Sequence, residues 1–291
     1  MDKTQGVGRP GVTACVPTYC SADFIKRTLD SLATQTYAPL DVLISDDGSR
    51  DDTVALCEAA AAGDPRFRIV RQTRRLGWTG NVNYLLGEAD TSFVFLMPHD
   101  DWLDPTYVEK LVGRLEAEPN AVLAYADSEE WRIGKGKSST VFAEGIRGAG
   151  PRARGARFIR FEYGCWLPYR GLIRRQALER VGGLRRNRRG EVYADIDWLL
   201  ALSLEGAFVR VPEALYYKEY QKTSLTYQWA LDHRDMLAAL WACAARVAES
   251  RVGPWGKAVL WSIIGRRLAR KGVRLLLEQA RLMQPPPDWR E

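Results

Sequence analysis

The chain has 291 residues, a net charge of +6, 46% hydrophobic and 27% charged residues, which fits a globular protein with one large α/β domain or a domain plus an appendage. No apolar run reaches the roughly 18 residues of a bilayer span, and the opening MDKTQGVGRPG lacks the apolar core of a signal peptide. Five scattered cysteines with no CxxC pair read as reduced thiols in a cytoplasmic protein, and two histidines, His99 and His233, exclude a multi-histidine zinc site.

Residues 12–17 (VTACVP) read as a first strand, and 23–36 place Phe24, Ile25, Leu29 and Leu32 at helical spacing. Residues 41–45 (DVLIS) form a second buried strand that ends in DDGSRDD, where Ser49 followed by Asp52 resembles a capping box opening a helix over 51–62. Residues 66–72 are a third strand. Residues 76–89 turn on glycines into a helix, and 91–97 (TSFVFLM) are a fourth strand. Asp104 then caps a helix with Pro105 at its first position, running to about Glu118, and 121–126 make a fifth strand. Residues 134–157, rich in Gly, Arg and Ser, read as loops, and 169–175 as a strand. Residues 194–206 read as a helix closed by a glycine C-cap, and 208–218 as extended chain. From about Tyr227 to Met283 the chain is helical, interrupted at GPWG, and its last helix has apolar and basic faces.

Strands alternating with helices of this length predict a doubly wound, mostly parallel sheet, with ligands beyond the carboxyl ends of the strands. The second and fourth strands both end there in acidic pairs, Asp46-Asp47 and Asp100-Asp101. Adjacent carboxylates repel, and a divalent cation, Mg²⁺ or Mn²⁺, relieves that repulsion while neutralising a diphosphate. Asp195 and Asp197 sit at a helix start, where the macrodipole favours negative charge, and a carboxylate within reach of a hydroxyl can act as its base. Between Arg147 and Arg189 lie 13 arginines, no lysine and two acids, which reads either as a solvated basic face or as attraction to an anionic partner. GVGRPG precedes the first strand instead of following it, so it is no dinucleotide loop. GxxxxGK[ST], HExxH and GxSxG are absent.

PTYCSADFIKRTLDSLATQTYAPLDVLISDDGSRDDT, RLGWTGNVNYLLGEADTSFVFLMPHDDWLDPTYVEKLV and YADIDWLLALSLEGAFVRVPEALYYK together resemble the family 2 glycosyltransferases over residues 12–220. The resemblance implies a GT-A fold: a doubly wound, mostly parallel sheet flanked by helices. It divides the chain into a transferase domain over 1–225 (donor half about 10–130, acceptor half about 131–225) and a helical region over 226–291. It also implies a UDP-, GDP- or dTDP-sugar donor, a divalent cation, inversion at the anomeric carbon and a hydroxyl acceptor, anionic or lipid-linked among the options. Pro17, Tyr19 and Asp47 would line the base and ribose pocket, and Gly77, Gly80 and Asn81 would lie near ribose and diphosphate. Asp100 and Asp101 would share ribose contact and metal coordination, and Asp195 would be the general base. Trp166, Arg170 and Asp197 are candidates for the acceptor side. The sequence departs from the family pattern in three places. Pro98-His99 replace the usual start of the acidic motif, Ala194-Asp195 keep only the aspartate of an ED pair, and a frequent histidine is replaced near Tyr220 or Gln221.

Two rivals predict different behaviour. A nucleotidyltransferase would release pyrophosphate and carry a Gly-rich basic loop where this chain has TYCSADF. A binder of RNA or membrane through the arginine-rich segment, whose aromatics include Phe158, Phe161, Tyr163 and Tyr169, would show strongly salt-dependent binding without need of Asp100 or Asp195. The transferase reading needs no nucleic acid and leaves open a homodimer and a peripheral contact at the inner face of the membrane.

Overall fold

The computed structural model describes residues 9–132, 136–141, 146, 150–160, 166–220 and 232–279. One mixed nine-stranded sheet organises the chain. Its parallel nucleus is β1 (Val12–Thr18), β2 (Leu40–Asp46), β3 (Phe67–Arg71) and β4 (Phe93–Leu96), in the order β3-β2-β1-β4. Antiparallel β8 (Leu172–Arg174) joins β4 to β6 (Ala121–Arg132), and β6 runs parallel to β9 (Ala207–Tyr220). Two further antiparallel pieces complete it, β5 (Trp102–Leu103) on β9 and β7 (Gly136–Val141) on β6.

Helices cover both faces because the central strands are apolar on both sides. Val12, Ala14 and Val16 point to one core, with α1 (Ile25–Ala33), α2 (Thr53–Gly63) and α4 (Tyr107–Ala117). Cys15, Leu43 and Leu96 point to the other, shared by α3 (Gly77–Glu88), α5 (Pro151–Arg160), α7 (Arg175–Val181) and α8 (Ala194–Glu205). Between α5 and α7 lies the single turn α6 (Trp166–Tyr169). The C-terminal helices α9 (His233–Glu249) and α10 (Pro254–Gln279) form a hairpin on this second face.

Four local expectations are corrected. No capping box opens α2: Ser49 instead bonds to Asp46 and accepts from the Cys20 amide at 2.8 Å, closing the DDGS turn. Asp104 accepts from the Thr106 amide at 2.8 Å, so α4 begins two residues beyond Pro105. The stretch read as loops holds β7 and α5, because β7 gains a ladder partner and α5 an apolar face only in three dimensions. Gly206 follows α8 in extended backbone (φ −162°), not as a left-handed cap, and is required by contact: a Cβ there would lie 2.2 Å from Val122 Cγ1. Cys15, Cys20 and Cys57 are free thiols, Cys243 is buried, and Cys165 and Gln221 lie outside the described residues.

Candidate active site

The carboxyl ends of β1, β2 and β4 converge, as a parallel nucleus requires. The Pro17 carbonyl at the end of β1 accepts from His99 Nδ1 at 3.3 Å; since a carbonyl only accepts, Nδ1 carries the proton. Thr28 of α1 braces the same turn by donating to the carbonyls of His99 (2.9 Å) and Asp101 (2.7 Å). His99 therefore ties β4 to β1.

The two acidic pairs have divided labour. Asp46 accepts from the amides of Gly48 (3.1 Å) and Ser49 (3.0 Å), which builds the turn after β2. Asp47 reaches α3 and accepts from the amides of Leu76 (2.6 Å) and Gly77 (3.0 Å). Arg75 stacks 3.8 Å from the Tyr19 ring centroid and lies 3.9 Å from Asp47, so Tyr19, Arg75 and Asp47 are neighbours. Asn81 is buried, donates to the Ser45 carbonyl at 2.9 Å and leaves its Oδ1 without a hydrogen-bond partner.

Glu191, which the sequence did not single out, occupies the rest of the α3 N-terminus. It accepts from the amides of Trp78 and Thr79, both at 3.2 Å, from the Thr79 hydroxyl at 2.7 Å, and from Arg186 at 2.9 Å. Every amide from Leu76 to Thr79 thus donates to a carboxylate, a self-occupied form of the anion site that helix N-termini offer. Gly77 has positive φ (77°), and a Cβ on it would lie 2.8 Å from both Arg186 and Glu191; a Cβ on Gly80 would lie 2.9 Å from the Leu76 side chain. Both glycines answer to close packing at this helix start.

Asp100 and Asp101 face different surroundings. Asp101 is fully buried; its Oδ2 accepts from the Tyr216 hydroxyl and lies 3.5 Å from Arg170 Nε, while Lys218 Nζ is 3.7 Å from Oδ1. The Tyr107 hydroxyl donates to the Arg170 carbonyl at 2.7 Å and holds that arginine in place. Burial pushes the Asp101 carboxyl up, with Lys218 and Arg170 opposing. Asp100 is half-buried, and although burial opposes it, the charges of Lys218, His99 and Arg170 hold its carboxyl below the usual range. Asp101 is enclosed by protein cations, whereas Asp100 is half-buried with its carboxyl held below the usual range. Among the described residues no three His, Cys, Asp or Glu side chains group as a metal cage. One carboxylate completed by substrate phosphates still fits how Mg²⁺ and Mn²⁺ are commonly held.

Asp195 stands at the start of α8, two residues after Tyr193, which adopts a left-handed conformation (φ 61°) uncommon outside glycine. Burial raises the Asp195 carboxyl; Arg170 pulls it down and Asp197 pushes it up. The charge of Arg170 is thus felt by Asp100, Asp101 and Asp195 alike. Asp197 points elsewhere. It is 1% exposed and accepts from Arg246 Nε of α9 at 2.7 Å, so its carboxylate is engaged between α8 and α9. Arg170 is drawn into the acidic cluster, and the Trp166 side chain lies outside the described residues. Tyr216 and Lys218 were discoverable: they alternate on one face of β9, and the β5–β9 pairing sets that face beside Asp101.

Known proteins resemble this one along most of its length. An uncharacterized protein of Mycobacterium tuberculosis, MT1568, is 28% identical over 79% of this chain and 73% of its own. The succinoglycan biosynthesis protein ExoO of Rhizobium meliloti is 29% identical over 79% of this chain and 66% of its own. Glycosyltransferase GlyA of Streptococcus pneumoniae is 29% identical, but over 36% of this chain and 15% of that protein. Among solved structures, S. aureus TarS 1-349 in complex with UDP-GlcNAc superposes with TM-score 0.69 at 17% identity, over 89% of this chain and 73% of that one. The mannosyltransferase PcManGT from Pyrobaculum calidifontis, in complex with GDP-Man and Mn²⁺, superposes with TM-score 0.58 at 19% identity, over 97% and 78%. Residues 13–182 match the model of glycosyl transferase family 2. That match takes in more than half of the chain, and with the sheet order and the acidic strand ends described above it makes this protein a glycosyltransferase of family 2.

Proposed function

We propose that this enzyme moves a sugar from a nucleoside-diphosphate sugar to an acceptor hydroxyl with inversion, with Asp195 as the general base. The observation that carries this is the position of Asp195: a half-buried carboxylate of raised basicity, beside the arginine that also meets Asp100 and Asp101. A base must be basic enough to take a proton and still be ionised at working pH, and burial tempered by a nearby cation provides that. The donors bound by TarS and PcManGT support a nucleotide-sugar partner here.

In this reading Pro17, Tyr19 and Asp47 line the nucleotide, with Asn81 behind them and Asp100 toward the ribose. A divalent cation held by Asp100 and the diphosphate would supply charge neutralisation of the leaving group. Asp195 accepts the proton of the acceptor hydroxyl, and that oxygen attacks the anomeric carbon from the face opposite the diphosphate. The bond from the anomeric carbon to the diphosphate oxygen breaks, and both its electrons leave with the nucleoside diphosphate. The charge of Arg170 lowers the Asp195 carboxyl against burial, and the same arginine lies beside Asp101. The test is Asp195→Asn, which keeps donor affinity in calorimetry and loses transfer. Transfer by that variant at the wild-type rate would overturn the assignment. Wild-type activity should rise with pH through the raised value of Asp195, because only the ionised form can accept the proton.

A further inference from the structure

We propose that the α9–α10 hairpin docks this enzyme on a membrane surface rich in anionic lipid. Every exposed large hydrophobic side chain among the described residues lies on these two helices: Trp241 (60% exposed), Trp255 (75%), Trp261 (44%), Val273 (56%) and Leu276 (65%). At about 100° per residue, the four on α10 share an arc of roughly 120°, on the side opposite the buried Leu260, Ile263 and Ile264. Trp261 Nε1 donates to the Ala244 carbonyl of α9 at 3.1 Å, which sets it one turn from Trp241. Ordinary surfaces scatter such residues singly, and their concentration on one hairpin marks an interaction face.

Charge selects the partner. Of the six basic residues that α10 carries between Pro254 and Leu277, with no acid, Lys257, Arg267, Lys271 and Arg274 lie on the side of the buried Leu260 and Ile264, and Arg266 and Arg270 supply the charge beside the apolar arc. Arg266 and Arg270 are exposed and flank the apolar arc. On that same flank Val259 and Ile263 share with Arg152, Arg157 and Arg160 of α5 a groove of about 630 Å³, a place for lipid phosphates. A second copy of this chain would set these like charges face to face. An anionic bilayer instead takes the cations at its headgroups and the tryptophans at its interface, where their amphipathic rings are favoured. No helix among the described residues is long and apolar enough to cross a membrane, so the helix lies along the surface. Arg246 of α9 grips Asp197 of α8, so the docking element is fastened to the helix that carries Asp195.

The test is sedimentation of the full chain with vesicles of phosphatidylcholine alone, or of equal parts phosphatidylcholine and phosphatidylglycerol. We expect binding to the mixed vesicles only, weakened by salt, with tryptophan fluorescence quenched by brominated acyl chains. R266E/R270E replaces two attractions to the anionic headgroups with repulsions and should lower partitioning about tenfold or more. W255S/W261S should abolish quenching. R266E/R270E should keep the wild-type melting temperature, since both side chains are exposed; W255S/W261S should melt somewhat lower, because Trp261 gives up its bond to Ala244, and both variants should keep the nucleotide-sugar affinity. Equal binding to neutral vesicles, binding without quenching, unchanged binding of R266E/R270E, binding to RNA in place of vesicles, or dimerisation that W255S/W261S abolishes would each overturn the proposal.

Discussion

Arg246→Met tests whether Asp197 serves the scaffold. The native pair is closed from water: side-chain exposure is 3% for Arg246 and 2% for Asp197, with 2.7 Å between Nε and Oδ2. At an effective dielectric of about 20, that separation corresponds to about 6 kcal/mol of attraction before the desolvation of both ions is counted. Desolvation takes back several kcal/mol per ion, so the intact pair is worth little net, but removing one partner leaves a buried charge alone and costs about 3–5 kcal/mol. The variant also deprives the Val181 and Gly183 carbonyls of their bonds to Arg246, both 2.9 Å, at about 1 kcal/mol each. The total expected loss is about 5–7 kcal/mol, read as a shift in the urea midpoint at unchanged slope. The pH dependence gives a second reading. Burial already raises the Asp197 carboxyl against the pull of Arg246, and without the arginine it rises further. A folded-state value above the unfolded one means the folded protein binds the extra proton. The deficit should therefore be largest at neutral pH and shrink as pH falls through the raised value. Replacing both partners, R246M/D197L, should recover most of the loss. A loss below about 1 kcal/mol, or a D197N variant of normal stability but impaired acceptor KM, would refute this reasoning and return Asp197 to the acceptor side.

Further outcomes follow from the same geometry. Asp195→Asn removes a carboxylate whose ionised form is disfavoured by burial, so it should melt higher than wild type at neutral pH, with the difference fading in acid; a lower melting temperature would show that the charge is stabilising. Asp100→Asn should lower transfer by roughly two to three orders of magnitude with little change in stability, through loss of the cation's charge compensation. Asp101→Asn should instead destabilise by roughly 1–3 kcal/mol in a thermal melt, because Arg170 and Lys218 lose a fully buried counter-charge; equal behaviour of the two variants would erase the division between them. Gly206→Ala should cost about 1–3 kcal/mol by overpacking against Val122, measured by denaturant unfolding, whereas a merely conformational glycine would yield less.

Much of this protein was legible along the chain because the signals are local. Short continuous apolar runs and period-3.6 patterns set β1 to β4 and their helices, and the acidic strand ends with the family-like order of motifs led to Asp47, Asp100 and Asp195. What stayed hidden depends on contacts between segments far apart. The path of residues 134–157 could not be read, since β7 and α5 are stabilised by β6 and the second core and not by their own polar composition. Asp100 and Asp101 are chemically identical neighbours in sequence. Only the antiparallel approach of β9, with Tyr216 and Lys218, and the seat of Arg170 made one of them a buried counter-ion. Asp195 and Asp197 were likewise equivalent at a helix start until Arg246, 49 residues beyond Asp197, claimed the second. Sequence by itself determined the elements of the parallel nucleus, the family and the candidate carboxylates, because these follow from local periodicity and motif order. Tertiary structure alone decided which carboxylates are enclosed by protein cations, because burial and counter-charge are properties of the assembled neighbourhood.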